Sequence, residues 1–200
     1  MGDILFLIHR IPWPPDRGDK IRSHWMLRHM AARARVHVGC FTDDARDAEY
    51  IDAMAAVTAS QHVEARSKPM WRAGGEALLS GRPVSITAFD SAAMHAFVAD
   101  TLSRHPIDRI VIFSCQMAHY VPRDFAGKLI IDFVDVDSAK FDGYARKGNP
   151  LMRWINAREG RKLAAFEAEM ARRADARLFV SAAEAALFVE RSGVDAGRWH

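Results

Sequence analysis

Residues 131–140 read Ile-Asp-Phe-Val-Asp-Val-Asp-Ser-Ala-Lys and crowd Asp132, Asp135 and Asp137 around the end of an apolar run. Carboxylates in such a place can accept sugar hydroxyls, hold a cation or serve as a general base. They can also do structural work, one capping the next segment while another pairs with Lys140 or Arg146. A metal is the least favoured of these roles, because no further ligand cluster completes a site. Asp135 is a candidate catalytic group, and Asp137 and Ser138 are candidate substrate contacts.

A second polar segment, Ser114-Cys115-Gln116-Met117-Ala118-His119, follows another apolar run. Cys115 and His119 are the residue types of a nucleophile pair or of metal ligands. A nucleophile needs a third group to orient its base, and the sequence offers none. The plainer expectation is a core cysteine and a histidine at the surface or in a polar contact. His119 is therefore only a second catalytic candidate, with Ser114 and Gln116 as substrate contacts. A third segment, Gly18-Asp19-Lys20-Ile21-Arg22, opens a helix. Free amides at a helix N-terminus beside Lys20 and Arg22 suit a phosphate or other anion; a tight turn with solvated charges fits the same residues. Neither G-x-G-x-x-G nor G-x-x-x-x-G-K-[ST] occurs, which counts against a nicotinamide enzyme and a P-loop ATPase.

The elements that must position these groups follow from hydrophobic pattern. Ile4 to Ile8 is a continuous apolar run, the mark of a strand covered on both faces. After a loop with three prolines, where Gly18 supplies a turn other residues resist, a helix is expected from about Lys20. Strands are expected at 36–41, 62–65, 110–113, 129–133 and 178–180. Helices are expected from Asp44 through Val57, over 70–80, 91–103 and 151–173, and after Ser181. Ser181-Ala182-Ala183-Glu184 has the form of a reciprocal capping box. Solid apolar strands alternating with helices predict an α/β, Rossmann-like doubly wound parallel sheet of order 3-2-1-4-5-6. In such a sheet, ligands bind beyond the carboxyl ends of the strands, where all three polar segments fall.

The 200 residues suffice for one α/β domain, and half of them are apolar. The formal charge is only +3, so any electrostatic role depends on where charges cluster. Basic residues gather over 10–35 and again at Arg146, Lys147, Arg153, Arg158, Arg161 and Lys162 beside Trp154, a composition suited to anionic lipid, pyrophosphate or nucleic acid. Cys40 and Cys115 read as buried, reduced thiols of a cytosolic protein. Met1-Gly2-Asp3-Ile4 reads as a strand start, and no apolar stretch approaches a bilayer span. The tail 195–200 ends without a closing element, as if cut.

The run Ile4 to Ser23, with its Pro-Pro-Asp-Arg-Gly-Asp-Lys-Ile-Arg-Ser core, resembles the start of family-4 glycosyltransferases of the two-Rossmann (GT-B) type. It is most similar to the bacterial subgroup associated with exopolysaccharide clusters and exosortase sorting. Val38–Asp44, Ile131–Lys140 and Phe179–Phe188 fit as well. The Ile4–Ser23 and Ile131–Lys140 stretches carry the specificity; the others are generic to the fold. The resemblance implies a retaining hexosyl transfer from a nucleotide-diphosphate sugar to a glycan or polyprenyl-linked acceptor in exopolysaccharide synthesis. The acceptor would be held by this domain, residues 1–200, and the donor nucleotide by a C-terminal domain absent from the chain, so that the fragment alone is inactive. It implies no cofactor and no metal. It places Gly18, Asp19, Lys20 and Arg22 near the donor diphosphate and Ser114, Gln116, Asp135, Asp137 and Ser138 around the acceptor. Partners are then the sugar nucleotide, the acceptor and an anionic membrane surface, with no nucleic acid, and the location is cytoplasmic and peripheral on the inner membrane. Two positions depart from the pattern: Gly18-Asp19 replaces Gly-Gly, and no histidine directly follows strand four or five. The alternative is a non-catalytic basic module of the same fold that binds lipid or nucleic acid.

Overall fold

The computed structural model describes residues 2–197. The expectation of an open-ended tail therefore falls partly on 198–200, outside the described residues. Six strands, β1 (Asp3–Ile8), β2 (Val36–Thr42), β3 (Ser60–Ala65), β4 (Ile107–Phe113), β5 (Lys128–Val134) and β6 (Ala176–Phe179), form one sheet of order β3-β2-β1-β4-β5-β6. Every pairing is parallel. The chain is thus an α/β, Rossmann-like doubly wound domain, and its strand order reverses between β1 and β4.

The unbroken apolar run of β1 divides by period two. Leu5 and Leu7 join the core on one face with Ile110 and Ile112, whereas Ile4, Phe6 and Ile8 join the other with Val111 and Phe113. Both faces are covered, which is why polar alternation is absent from this strand. The second core receives Leu27 of α1 (Gly18–Ala31) and Met54 of α2 (Ile51–Ala55). The first receives Ala73 of α3 (Met70–Ser80), packed with α4 (Val84–Thr87), and Met94 and Val98 of α5 (Ala92–Arg104). Gly39 lets β2 approach α5: a Cβ there would lie 2.7 Å from Met94 Sδ and 2.8 Å from Leu7 Cδ2.

On the β5–β6 side, α6 (Asp137–Ala145) crosses α7 (Pro150–Arg173), and α8 (Ala182–Ser192) closes the layer through Ala185 and Phe188. Gly160 permits that crossing, since an added Cβ would sit 3.1 Å from Phe141 Cβ.

Several local expectations need correction. The helix expected from Asp44 begins as a 3-10 turn, Ala45–Tyr50, before α2. Helices α4 and α6 lie where the sequence pattern predicts none; α6 carries Gly143 and buries only Ser138, so it shows no clear apolar stripe. Gly18 has no left-handed backbone and serves as the first residue of α1. The capping box at Ser181 is half made. Ser181 Oγ accepts the Glu184 amide at 3.2 Å, but Glu184 Oε2 accepts the Val136 amide at 2.9 Å and ties α8 to the loop after β5.

Candidate functional site

The carboxyl ends of β1, β4 and β5 converge on an open cleft of about 390 Å³ at the point where strand order reverses. His9, Arg10 and Asp19 line it from the β1 side, Ser114 and Gln116 from β4, and Val134, Asp135, Asp137 and Lys140 from β5, with Phe89 and Arg66 completing the rim. A larger hollow of about 480 Å³ lies toward β2, between the proline loop and the 3-10 turn. It draws on only the β1 and β2 ends, whereas the first cleft joins three strands at the switch point, where ligands bind in this architecture.

Two residues without glycine's freedom leave their strands with left-handed backbone at this cleft. Ser114 has φ 72° and Val134 φ 63°. For a β-branched residue that is a true outlier, costing about 1–3 kcal/mol, and such strain gathers where geometry serves a ligand. The fully buried Asp132 helps to hold it: Oδ1 accepts the Val134 amide at 3.0 Å, and Oδ2 accepts Arg22 Nε at 2.7 Å. The Asp132 carbonyl accepts the Ser114 amide at 2.9 Å.

The cleft wall alternates charge. Lys140 Nζ donates to Asp137 Oδ1 at 2.8 Å and to Asp135 Oδ2 at 3.0 Å, and Gln116 Nε2 donates to Asp137 Oδ2 at 3.3 Å. Partial burial pulls the Lys140 ammonium down, but its bond to Asp137, then that carboxylate's charge and Asp135, outweigh burial and leave it raised. Across the cleft, Asp19 meets His9 Nε2 at 3.6 Å, Arg10 at 2.6 Å and Arg17 at 3.2 Å. The His9 contact, aided by Arg10, holds the Asp19 carboxyl well below the usual carboxylate range. Arg10 also pairs with Asp43, which Arg66 meets at 2.8 Å. Three carboxylates (Asp19, Asp135, Asp137) thus interleave with three cations (Arg10, Arg66, Lys140). That pattern matches the mixed donors and acceptors of a polyhydroxylated ligand better than a net anion.

The structure brings together Asp19, Ser114, Gln116, Asp135 and Asp137 from the sequence-based set. Gly18 is exposed just before Asp19, and a Cβ there would meet nothing within 4 Å. Its helix start has no side-chain cap, so the first-turn amides of α1 lack that partner.

Four residues are not cleft contacts. Lys20 is buried, its Nζ bonding Trp13 O and Asp47 Oδ1, each at 2.8 Å, so it anchors the proline loop to the 3-10 turn. Arg22 reaches Asp132 and, at 3.5 Å, the Phe179 carbonyl, bridging α1 to β5 and β6. Ser138 is fully buried, and its amide donates to Glu167 at 3.1 Å. His119 has a side chain only 5% exposed and turns away toward Asp90. It forms no pair with Cys115 either. That thiol is buried and pushed well above its ordinary range by desolvation, then by Glu167 and Asp137. Cys40 is likewise buried and free.

Sequence reasoning missed His9. It stacks on Phe113 with a 5.9 Å centroid separation and an interplanar angle of 6°, and its buried Nδ1 has no protein partner. The available signal was its position, directly after the β1 run.

No family model matches the chain, and no curated protein matches it. Among solved structures, the N-terminal domain of Candida albicans trehalose-6-phosphate phosphatase is similar, with a TM-score of 0.52 and 15% identity. The match covers 96% of this chain and 43% of that one, so this chain spans less than half the length of the matched chain. At that identity the likeness speaks for the fold alone.

Proposed function

We propose that this chain is the acceptor-side domain of a retaining, two-domain glycosyltransferase, transferring a hexose from a nucleotide-diphosphate sugar to a glycan or lipid-linked acceptor in exopolysaccharide synthesis. The observation that carries the reading is the convergence of Asp19, Gln116, Asp135 and Asp137 on one open cleft at the switch point. Paired carboxylates and amides there can take up sugar hydroxyls without burying an unpaired charge. Their ion pairs with Arg10 and Lys140 fix them before a ligand arrives, which lowers the ordering cost of binding.

In this reading Asp135 and Asp137 position the acceptor. The departing phosphate of the donor takes the acceptor proton, and the uncapped amides of α1 stabilise its charge. The transfer itself calls for no metal. His9 lines the cleft with Nε2 3.6 Å from Asp19, so in this reading it steadies that carboxylate, while its buried Nδ1 stays out of a ligand's reach. The donor nucleotide contacts mainly a second domain. A thermal-shift panel tests this division. Glycan or polyprenyl-linked acceptors should stabilise this chain, while donor nucleotides should stabilise mainly the full-length protein. Donor stabilisation of equal size in both, with no acceptor response in either, would refute it.

A separate observation favours contact with a membrane surface. Trp71 (80% exposed) and Leu79 (93%) stand on α3, and Leu151 and Trp154 stand on α7, whose Arg158 donates to the α3 carbonyl of Ala77 at 2.8 Å. Exposed aromatic and aliphatic side chains beside a basic helix suit an anionic interface. Among the described residues no helix is long and apolar enough to cross a membrane. Liposome sedimentation should show binding that requires anionic lipid and weakens with salt; failure to bind at any salt concentration would remove this part of the proposal.

A further inference from the structure

His119 leaves a buried nitrogen without a partner. Its Nδ1 lies 2.7 Å from the Gln116 carbonyl oxygen, which can only accept, so Nδ1 carries the proton. In the neutral ring Nε2 is then a bare lone pair, and it is buried without a hydrogen-bond partner. It faces Asp90 Oδ1 at 3.7 Å, too far for a hydrogen bond. A lone pair aimed at a carboxylate oxygen is an arrangement that a cation between them resolves. His95 Nε2 lies 3.0 Å from the same Oδ1, and the three ligand atoms all fall within 4.8 Å of one another.

We propose that Asp90, His95 and His119 bind one divalent transition metal of the zinc class. Ligands about 2.0 Å from a tetrahedral ion are about 3.3 Å apart, and the observed 3.0 and 3.7 Å bracket that spacing. Two imidazoles and one carboxylate favour a borderline-soft ion over magnesium or calcium, which take oxygen shells. The bond from His119 Nδ1 to a backbone carbonyl is the outer-shell contact that fixes tautomer and ring direction in metal-bound histidines. Arg82 pairs with the other oxygen of Asp90, leaving Oδ1 to serve as a single ligand atom. His95, with its side chain 47% exposed, stands at the solvent side and leaves a fourth position for water.

The site does not depend on the transfer proposed above. It would cross-link α5, the turn before it and the 3-10 turn Cys115–Tyr120. Gln116, on that turn, presents its side chain to Asp137 in the cleft, so the ion would stiffen one cleft wall without touching a substrate.

The test uses tag-free, chelator-stripped protein titrated with zinc by calorimetry, with metal content measured after dialysis. One zinc per chain should bind, raise the unfolding midpoint and persist in excess magnesium. His119→Gln and His95→Ala should each weaken zinc binding by more than about tenfold. His95 is exposed enough that its variant should fold if the His119 variant does not. Absence of zinc binding would overturn the proposal. So would binding that survives unchanged in His95→Ala, which would place the ion elsewhere, for example at the Asp3, His37 and His105 cluster.

Discussion

Two sets of ion pairs surround the strand ends, and they differ in burial. Lys20–Asp47 and Arg22–Asp132 are built into the walls: Lys20 and Asp47 are buried, and Asp132 is fully enclosed. Asp135 and Asp137 with Lys140, and Asp19 with Arg10, stand in the cleft within reach of solvent. All these residues sit in charged segments next to apolar runs, and in sequence they look alike. The structure divides them into groups that make the cleft and groups that present it. A charge removed from water must be matched by its partner or the fold loses stability, whereas an exposed pair contributes little and is free to exchange a protein partner for a ligand.

The largest effect is expected at Lys20. Lys20→Met would leave Asp47 buried and uncompensated and should lower unfolding free energy by about 3–5 kcal/mol in urea titration; a change near zero would put Lys20 back among ligand-facing residues. Glu167 sharpens the contrast, because burial pushes its carboxyl up to about 7, against about 4.3 when unfolded. The folded state holds this proton more tightly. Its contribution to stability is fully present below about pH 4.3 and is lost as pH rises through about 7. Glu167→Gln keeps an acceptor for the Ser138 amide. It should leave stability at pH 4 nearly unchanged and raise it at pH 8 by up to about 3 kcal/mol; a variant with the wild-type pH slope would refute the shift. Asp132→Asn should cost about 2 kcal/mol, the size of a charge-assisted bond, because Arg22 loses its ionic partner. Thermal unfolding with and without the Arg22→Met change separates that bond from the support given to Val134.

The sheet is legible because strands covered on both faces are written as apolar runs, unbroken in Ile4–Ile8 of β1 and Ile110–Phe113 of β4 and interrupted only by His37 and Gly39 in β2 and by Asp132 in β5. The order of strands followed from chain connectivity and handedness. Helix α6 was hidden because its sequence, with Gly143 and alternating charge, buries almost nothing but Ser138. Of the site, Asp135, Asp137 and Gln116 were visible as polar groups just past a strand. What sequence could not separate was direction. Lys20 and Asp19 are adjacent, yet the first turn of α1 sends one inward to Asp47 and the other across to Arg10. The sequence pattern groups Ser138 with Asp137 in the cleft, but the helix begun by Asp137 buries it, with its amide donating to Glu167. His9 gives no signal in sequence because one histidine after a strand has no partner close by; Asp19 and Phe113 meet it only through the fold.

The proposed role of the exposed cleft carboxylates in holding an acceptor is tested most directly by Asp135→Asn in the full-length protein. Steady-state transfer should show an acceptor KM raised by about tenfold, as for loss of one charge-assisted bond. The donor KM should be unchanged, and stability should move by less than about 0.5 kcal/mol. An unaltered rate together with an unaltered acceptor KM would contradict that role.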